Sequence, residues 1–238
     1  MEIKKSIAFV TGANRGLGLA FARELLARGA AKVYAGMRNT EGVDIPGVVP
    51  VRVDVNDAAS VAAAAAQCAD TTLVVNNAGI SRILGGSLDA GWIDAARDIF
   101  ETNVYGVVRV SQAFAPILAR NGGGAVINVL SSAVWLSRPF ISPYAASKAA
   151  AWSYTNALRL DLRAHGTLVQ GLHVSFIDTD MTAGFDMKKA NPREVAARAL
   201  DGLERGQEEV LADEVTVAVK ASLSGAEPVY LNPPQPGK

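Results

Sequence analysis

The chain has 238 residues, half of them hydrophobic, and a formal net charge of zero. That suits one large α/β domain with a single buried core. The balanced charge offers no basic face to nucleic acid and no polybasic segment to a membrane, so neither partner is expected.

In chain order, Ile7-Ala8-Phe9-Val10 is a short apolar run ended by Thr11-Gly12, and a helical pattern follows from Leu17 to Ala27. Lys32 to Ala35 reads as the second strand and Val48 to Val53 as the third, with a helix from Val61 to Cys68. Leu73-Val74-Val75 is a fourth strand, ended by Asn76-Asn77-Ala78-Gly79. A long helical stretch covers Ile93 to Arg120, then Gly122-Gly123-Gly124 turns into a fifth strand, Ala125 to Val129. After a loop holding Pro139 and Pro143 a helix runs to Ala164, and Leu168 to Phe176 is the sixth strand. Pro192 suits a helix first turn. That helix continues through Leu203, before a short strand at Glu209-Val210-Leu211 and a final helix from Asp213 to Leu223. The tail from 225 ends in Asn232-Pro233-Pro234-Gln235-Pro236-Gly237-Lys238 and is expected to be an extended end.

Apolar strands without alternation, separated by helices, predict a Rossmann-like, doubly wound parallel sheet of seven strands with helices on both faces. No linker or repeat interrupts it, so 1–238 is read as one domain. Right-handed crossovers place a ligand beyond the carboxyl ends of the strands. The start, Met1-Glu2-Ile3-Lys4-Lys5, lacks a signal-peptide core. No stretch reaches bilayer-spanning length, and a cytoplasmic location is the expectation. Cys68 is the sole cysteine, which excludes an internal disulfide; with His165 and His173 it makes no metal-ligand pattern.

Thr11-Gly12-Ala13-Asn14-Arg15-Gly16-Leu17-Gly18 sits where a dinucleotide site belongs. Glycines let the backbone approach a pyrophosphate, and the following helix offers free amides and its positive dipole end. At the end of the second strand, Gly36-Met37-Arg38-Asn39 offers Arg38 and no acid. With Arg15 in the turn, that favours a 2′-phosphate and hence NADP(H). Further on, Tyr144 and Lys148 lie one helical turn apart in Pro143-Tyr144-Ala145-Ala146-Ser147-Lys148, so phenol and ammonium share a face. A lysine charge there is expected to lower the phenol pKa toward the range of acid–base work.

From Lys5 to Leu211 these motifs, in order, make the chain resemble the short-chain dehydrogenase/reductase family. The resemblance implies that Gly12, Asn14, Arg15, Gly16, Leu17 and Gly18 hold the pyrophosphate end of NADP(H), and that Arg38 and Asp54-Val55 hold the adenosine end. It gives Asn77, Ala78 and Gly79 a supporting role, and it gives Asn103, Ser131, Tyr144 and Lys148 the catalytic roles. Ser131 rather than Ser132 is the serine, because it stands three residues after Asn128 and thirteen before Tyr144, the family's spacing. Asn103 is implied to kink its helix and hold a water relaying protons to Lys148, which itself bonds the nicotinamide ribose. Ile177 and Thr179 are implied to fix the nicotinamide amide. One departure stands out: Val174-Ser175 replaces the family's usual Pro-Gly pair.

The activity implied is hydride transfer between NADPH and a carbonyl or secondary alcohol, with Tyr144 as general acid and base. The alternative is a silent NADP-binding sensor of the same fold. A homodimer or homotetramer is implied through the helices starting near Ile93 and Ser142. Trp135, Phe140, Phe176, Met181, Phe185 and Met187 are divided between substrate pocket and core.

Overall fold

The computed structural model describes residues 1–41 and 46–234. The strands are β1 (Ile7–Thr11), β2 (Lys32–Met37), β3 (Val48–Arg52), β4 (Leu73–Asn76), β5 (Gly124–Val129), β6 (Thr167–His173) and β7 (Glu209–Leu211). The helices are α1 (Gly16–Ala27), α2 (Ala58–Gln67), α3 (Trp92–Phe100), α4 (Gly106–Arg120), α5 (Ser142–Arg163), α6 (Pro192–Glu204) and α7 (Glu214–Ser222). All strand pairs are parallel, in the order β3-β2-β1-β4-β5-β6-β7. This is the doubly wound sheet expected from the sequence, with its topological switch between β1 and β4.

Burial on both faces explains why the strands read as unbroken apolar runs. In β1, Ala8 and Val10 join Phe21 and Leu25 of α1 and Leu200 of α6 on one side. Phe9 turns to the other side, stacking on Phe114 of α4 with ring centroids 4.5 Å apart, in a layer that includes α2 and α5.

Four differences from the sequence reading have local causes. The long helix from 93 is interrupted by a π turn, Glu101–Tyr105, that contains Asn103; a π turn follows no side-chain periodicity readable at this length. Helix α2 begins three residues early because Asp57 accepts from Ala59 N as its cap. Strand β6 stops at His173, which is also the last residue of β6 paired with β7. Residues 225–234 fold into turns rather than an extended end: Leu231 N donates to Pro228 O, and Val229 N donates to Ser222 Oγ. Residues 235–238 of that tail lie outside the described residues. Among the described residues no helix is long and apolar enough to cross a membrane.

Candidate active site

A cleft of about 750 Å³ opens past the carboxyl ends of the strands, at the β1/β4 switch. Its floor at one end is the turn between β1 and α1. Gly12 and Gly16 have φ of +65° and +54°, the left-handed region that favours glycine. Gly18 does not line the cleft; a Cβ there would lie 2.2 Å from Gly12 O, so its bareness lets α1 seat against the turn. Thr11 and Asn77 hold the turn from below. Thr11 Oγ1 accepts from the backbone of Asn77 and Ala78 at 3.0 Å each, and Asn77 Nδ2 donates to Thr11 O at 2.9 Å.

Helix α1 has no side-chain cap at its start, whereas α2, α6 and α7 are capped by Asp57, Asn191 and Asp213. Its first amides are therefore available to an anion. This cradle fits the pyrophosphate of a dinucleotide. Asn14, Arg15, Leu17, Arg38, Asp54, Val55, Ala78 and Gly79 line the same cleft. Asp54 Oδ1 accepts from Asn56 N, and Arg15 Nη1 reaches Asp180 Oδ2 at 2.9 Å, joining the two edges of the cleft mouth.

At the other end stand Tyr144 and Lys148 of α5. The phenol is pushed above its ordinary pKa by burial, and the Ser131 hydroxyl beside it offsets part of that rise. Ser131, not Ser132, is thus the serine at the phenol; its Oγ also accepts from Ala133 N at 3.1 Å. The expected lowering of the Tyr144 pKa by Lys148 is not what the geometry gives. Lys148 Nζ lies 5.7 Å from the ring centroid and donates to Val129 O at 2.7 Å, and the net direction at the phenol is upward, led by burial.

Lys148 is itself pulled down to about 8 by burial. Its folded pKa lies below the unfolded 10.5, so the unfolded chain binds more protons and stability rises as pH climbs from about 8 to 10.5. Below pH 8 the full penalty applies, on the order of 3 kcal/mol, partly offset by about 1 kcal/mol from the bond to Val129. Lys148→Met should therefore raise the unfolding free energy at pH 7 by about 2 kcal/mol, with the gain shrinking toward pH 10.5. Denaturant titrations at the two pH values measure it, and a variant less stable than wild type at pH 7 would contradict the account.

Asn103 lies outside the cleft lining and acts as a strut. Its side chain accepts from Ile80 N and donates to Ile80 O, each at 2.9 Å, and donates to Ser147 Oγ at 3.1 Å. It thereby ties the segment after β4 to α5. Deeper still, Asn76 Nδ2 donates to Asn128 Oδ1, and Asn128 Nδ2 donates to Thr155 Oγ1 of α5. This buried chain fixes β4, β5 and α5 beneath Ser131 and Tyr144; the sequence reading marks Asn76 as the end of the fourth strand and Asn128 as a spacing mark, and does not single out Thr155.

After β6, Val174, Ser175, Ile177 and Thr179 all line the cleft. Lys5 is the only described non-glycine residue with positive φ, so position 175 demands no glycine, and serine serves there. Ser175 N donates to Asp213 Oδ2 at 2.6 Å, while the Ile177 carbonyl accepts from the Thr182 hydroxyl. The segment that follows is pinned at its base: Ile177 bridges Ala190, and Ala190 N donates to Phe176 O at 2.7 Å. Phe176, Phe185 and Phe140 form one aromatic cluster and Met181 lines the cleft, whereas Trp135 packs on His173 and Trp152.

The short chain dehydrogenase family profile matches residues 6–190. The chain belongs to the short-chain dehydrogenase family.

Galactitol 2-dehydrogenase (L-tagatose-forming) of Cereibacter sphaeroides is 34% identical over 188 residues, covering 74% of this chain and 72% of that protein. The 3-oxoacyl-(acyl-carrier-protein) reductase FabG of Escherichia coli K12 is 31% identical over 245 residues, covering 97% and 94%. Among solved structures, a short chain dehydrogenase from Burkholderia cenocepacia in complex with NADP superposes with a TM-score of 0.90. It is 38% identical, with 95% of each chain covered. A short-chain dehydrogenase/reductase from Burkholderia phymatum in complex with NAD gives 0.80 at 25% identity, covering 93% and 94%. This short-chain dehydrogenase is therefore an oxidoreductase by family.

Proposed function

We propose that the chain is an NADP(H)-dependent oxidoreductase interconverting a carbonyl and a secondary alcohol, with Tyr144 as general acid and base. One observation carries the reading: a phenol paired with Ser131, and a buried ammonium one helical turn on, share a cleft with a glycine cradle and an uncapped helix start. The bound nicotinamide supplies or accepts the hydride. In the reductive direction Tyr144 gives its proton to the substrate oxygen, and Ser131 donates a hydrogen bond to that oxygen. A positioned acid contributes about two to four powers of ten, and a preorganised donor about 3 kcal/mol. The raised phenol pKa keeps that proton in place through neutrality.

Lys148, largely protonated at neutral pH, holds the nicotinamide ribose and helps return a proton to Tyr144. Asn103 keeps the Ile80 segment and α5 in place around it. Backbone and side chain at Ile177 and Thr179 orient the nicotinamide amide. Met181, which lines the cleft with Val174 and Ile177, favours a substrate with an apolar flank. Cytoplasmic location and a homodimer or homotetramer remain part of the proposal; exposed Ile93, Tyr105 and Leu160 support pairing of helices between copies.

The NADP preference rests on Arg38 and Arg15, both in the cleft lining, and agrees with the NADP held by the Burkholderia cenocepacia neighbour. Arg38→Ala should raise KM for NADPH about ten- to a hundredfold while leaving NADH nearly unchanged, the effect of losing a charged hydrogen bond. Equal losses for both cofactors would remove the preference. The activity itself is tested by a spectrophotometric screen of aldehydes, ketones and secondary alcohols with both nicotinamides. Tight cofactor binding without turnover across that panel would instead favour a silent sensor.

A further inference from the structure

His173, the last residue of β6, is fully buried behind the serine loop. Its Nδ1 lies 3.3 Å from the Ser131 carbonyl, which also accepts from Val134 N at 3.3 Å. Its ring stacks on Trp135, with centroids 4.3 Å apart and planes 17° apart, and meets Trp152 edge-on at 6.5 Å. One side chain thus grips both ends of the short turn from Ser131 to Trp135. Main-chain bonds at the same place, Leu130 N to Leu172 O and Ser132 N to Val174 O, align the two segments; the second holds the N–H edge of the Ser131–Ser132 peptide, whose carbonyl edge faces His173 and Val134 N.

We propose that His173 is a positioning residue for Ser131: its Nδ1–H donates to the Ser131 carbonyl and fixes the peptide that presents Ser131 Oγ to Tyr144. The tautomer follows from the surroundings. A carbonyl carries only lone pairs, so a bare Nδ1 at this distance would set lone pair against lone pair. Nε2 lies 3.4 Å from Glu209 Oε1 yet has no hydrogen-bond partner among the described residues, and the Glu209 carboxylate is already paired with Lys220. Lys220 also sits over the Trp135 ring, and its charge with that of Arg159 opposes a second proton on the imidazole. Burial works in the same direction, pulling the ring down to about 4, so the neutral form holds across the working range.

The inference deepens the reductase reading and rests on it for its kinetic arm, while its spectroscopic arm does not need turnover. The chain has two histidines, so ¹⁵N-histidine labelling gives two ring systems, and His165→Gln assigns them. His173 should show the neutral Nδ1–H tautomer at about pH 6 to 8; an Nε2–H tautomer or an imidazolium would overturn the proposal. Kinetically, His173→Leu should lower kcat about tenfold or more with cofactor Kd within about twofold, and His173→Asn, which returns a donor near the Nδ1 position, should recover kcat to within about threefold of wild type. Leu at near wild-type kcat, or Asn as poor as Leu, would refute it. If the Leu variant does not fold, His173→Gln takes its place, since the added methylene moves the donor off the Ser131 carbonyl. A tautomer as stated, in a protein that turns over nothing on the panel, would break the reductase reading and reduce His173 to a structural tie.

Discussion

Tyr144→Phe should cut kcat by about two to four powers of ten while leaving NADPH affinity within about threefold. The substitution removes one oxygen and keeps the ring, so α5 and the cleft wall retain their shape. What disappears is a hydroxyl that stands beside Ser131 and borders the cleft. Ser131 keeps its bond from Ala133 N and still offers a donor to the substrate oxygen, so a small residual rate is expected. Single-turnover kinetics with NADPH titrations on the same preparation separate the two quantities. Wild-type turnover in the variant would remove Tyr144 from the chemistry, whatever the fold.

The second large effect belongs to a glycine outside the cleft lining. Gly18→Ala puts a methyl 2.2 Å from Gly12 O, 2.8 Å from Gly12 C and 2.6 Å from Asn77 Nδ2. Two of those atoms are backbone and cannot swing aside, so the start of α1 must lift off the turn. Overpacking of this kind costs about 1–3 kcal/mol, and a loss near 2 kcal/mol in a domain of this size lowers Tm by roughly 4–8 °C. Because the lift displaces the amides that face the cleft, cofactor affinity should fall along with Tm. A variant with unchanged Tm and unchanged affinity would show that the close approach of helix and turn is not needed.

Much of this is legible in the sequence. The run Ile7 to Val10, the glycines after it and the long series of apolar strands dictate the sheet, because a strand buried on both faces has no polar positions to confuse the reading. The spacing from Asn128 to Ser131 to Tyr144 picked the serine that stands at the phenol. What sequence could not supply was direction. Lys148 sits one turn from Tyr144, as expected, yet its Nζ turns to the Val129 carbonyl, a partner nineteen residues away in sequence. The same blindness hid the Asn76–Asn128–Thr155 chain, whose members are spread over three elements. Gly18 reads as a cofactor contact from its motif; what sequence does not show is how closely its Cα packs on Gly12 O. His173 carried no signal beyond being a histidine without a metal pattern.

The Arg15–Asp180 pair spans the cleft mouth with side chains 70% and 74% exposed. Pairs so open to water contribute no more than about 1 kcal/mol, little above thermal energy. The entrance is therefore a swing gate without a bolt. This pair by itself sets no appreciable barrier to entry.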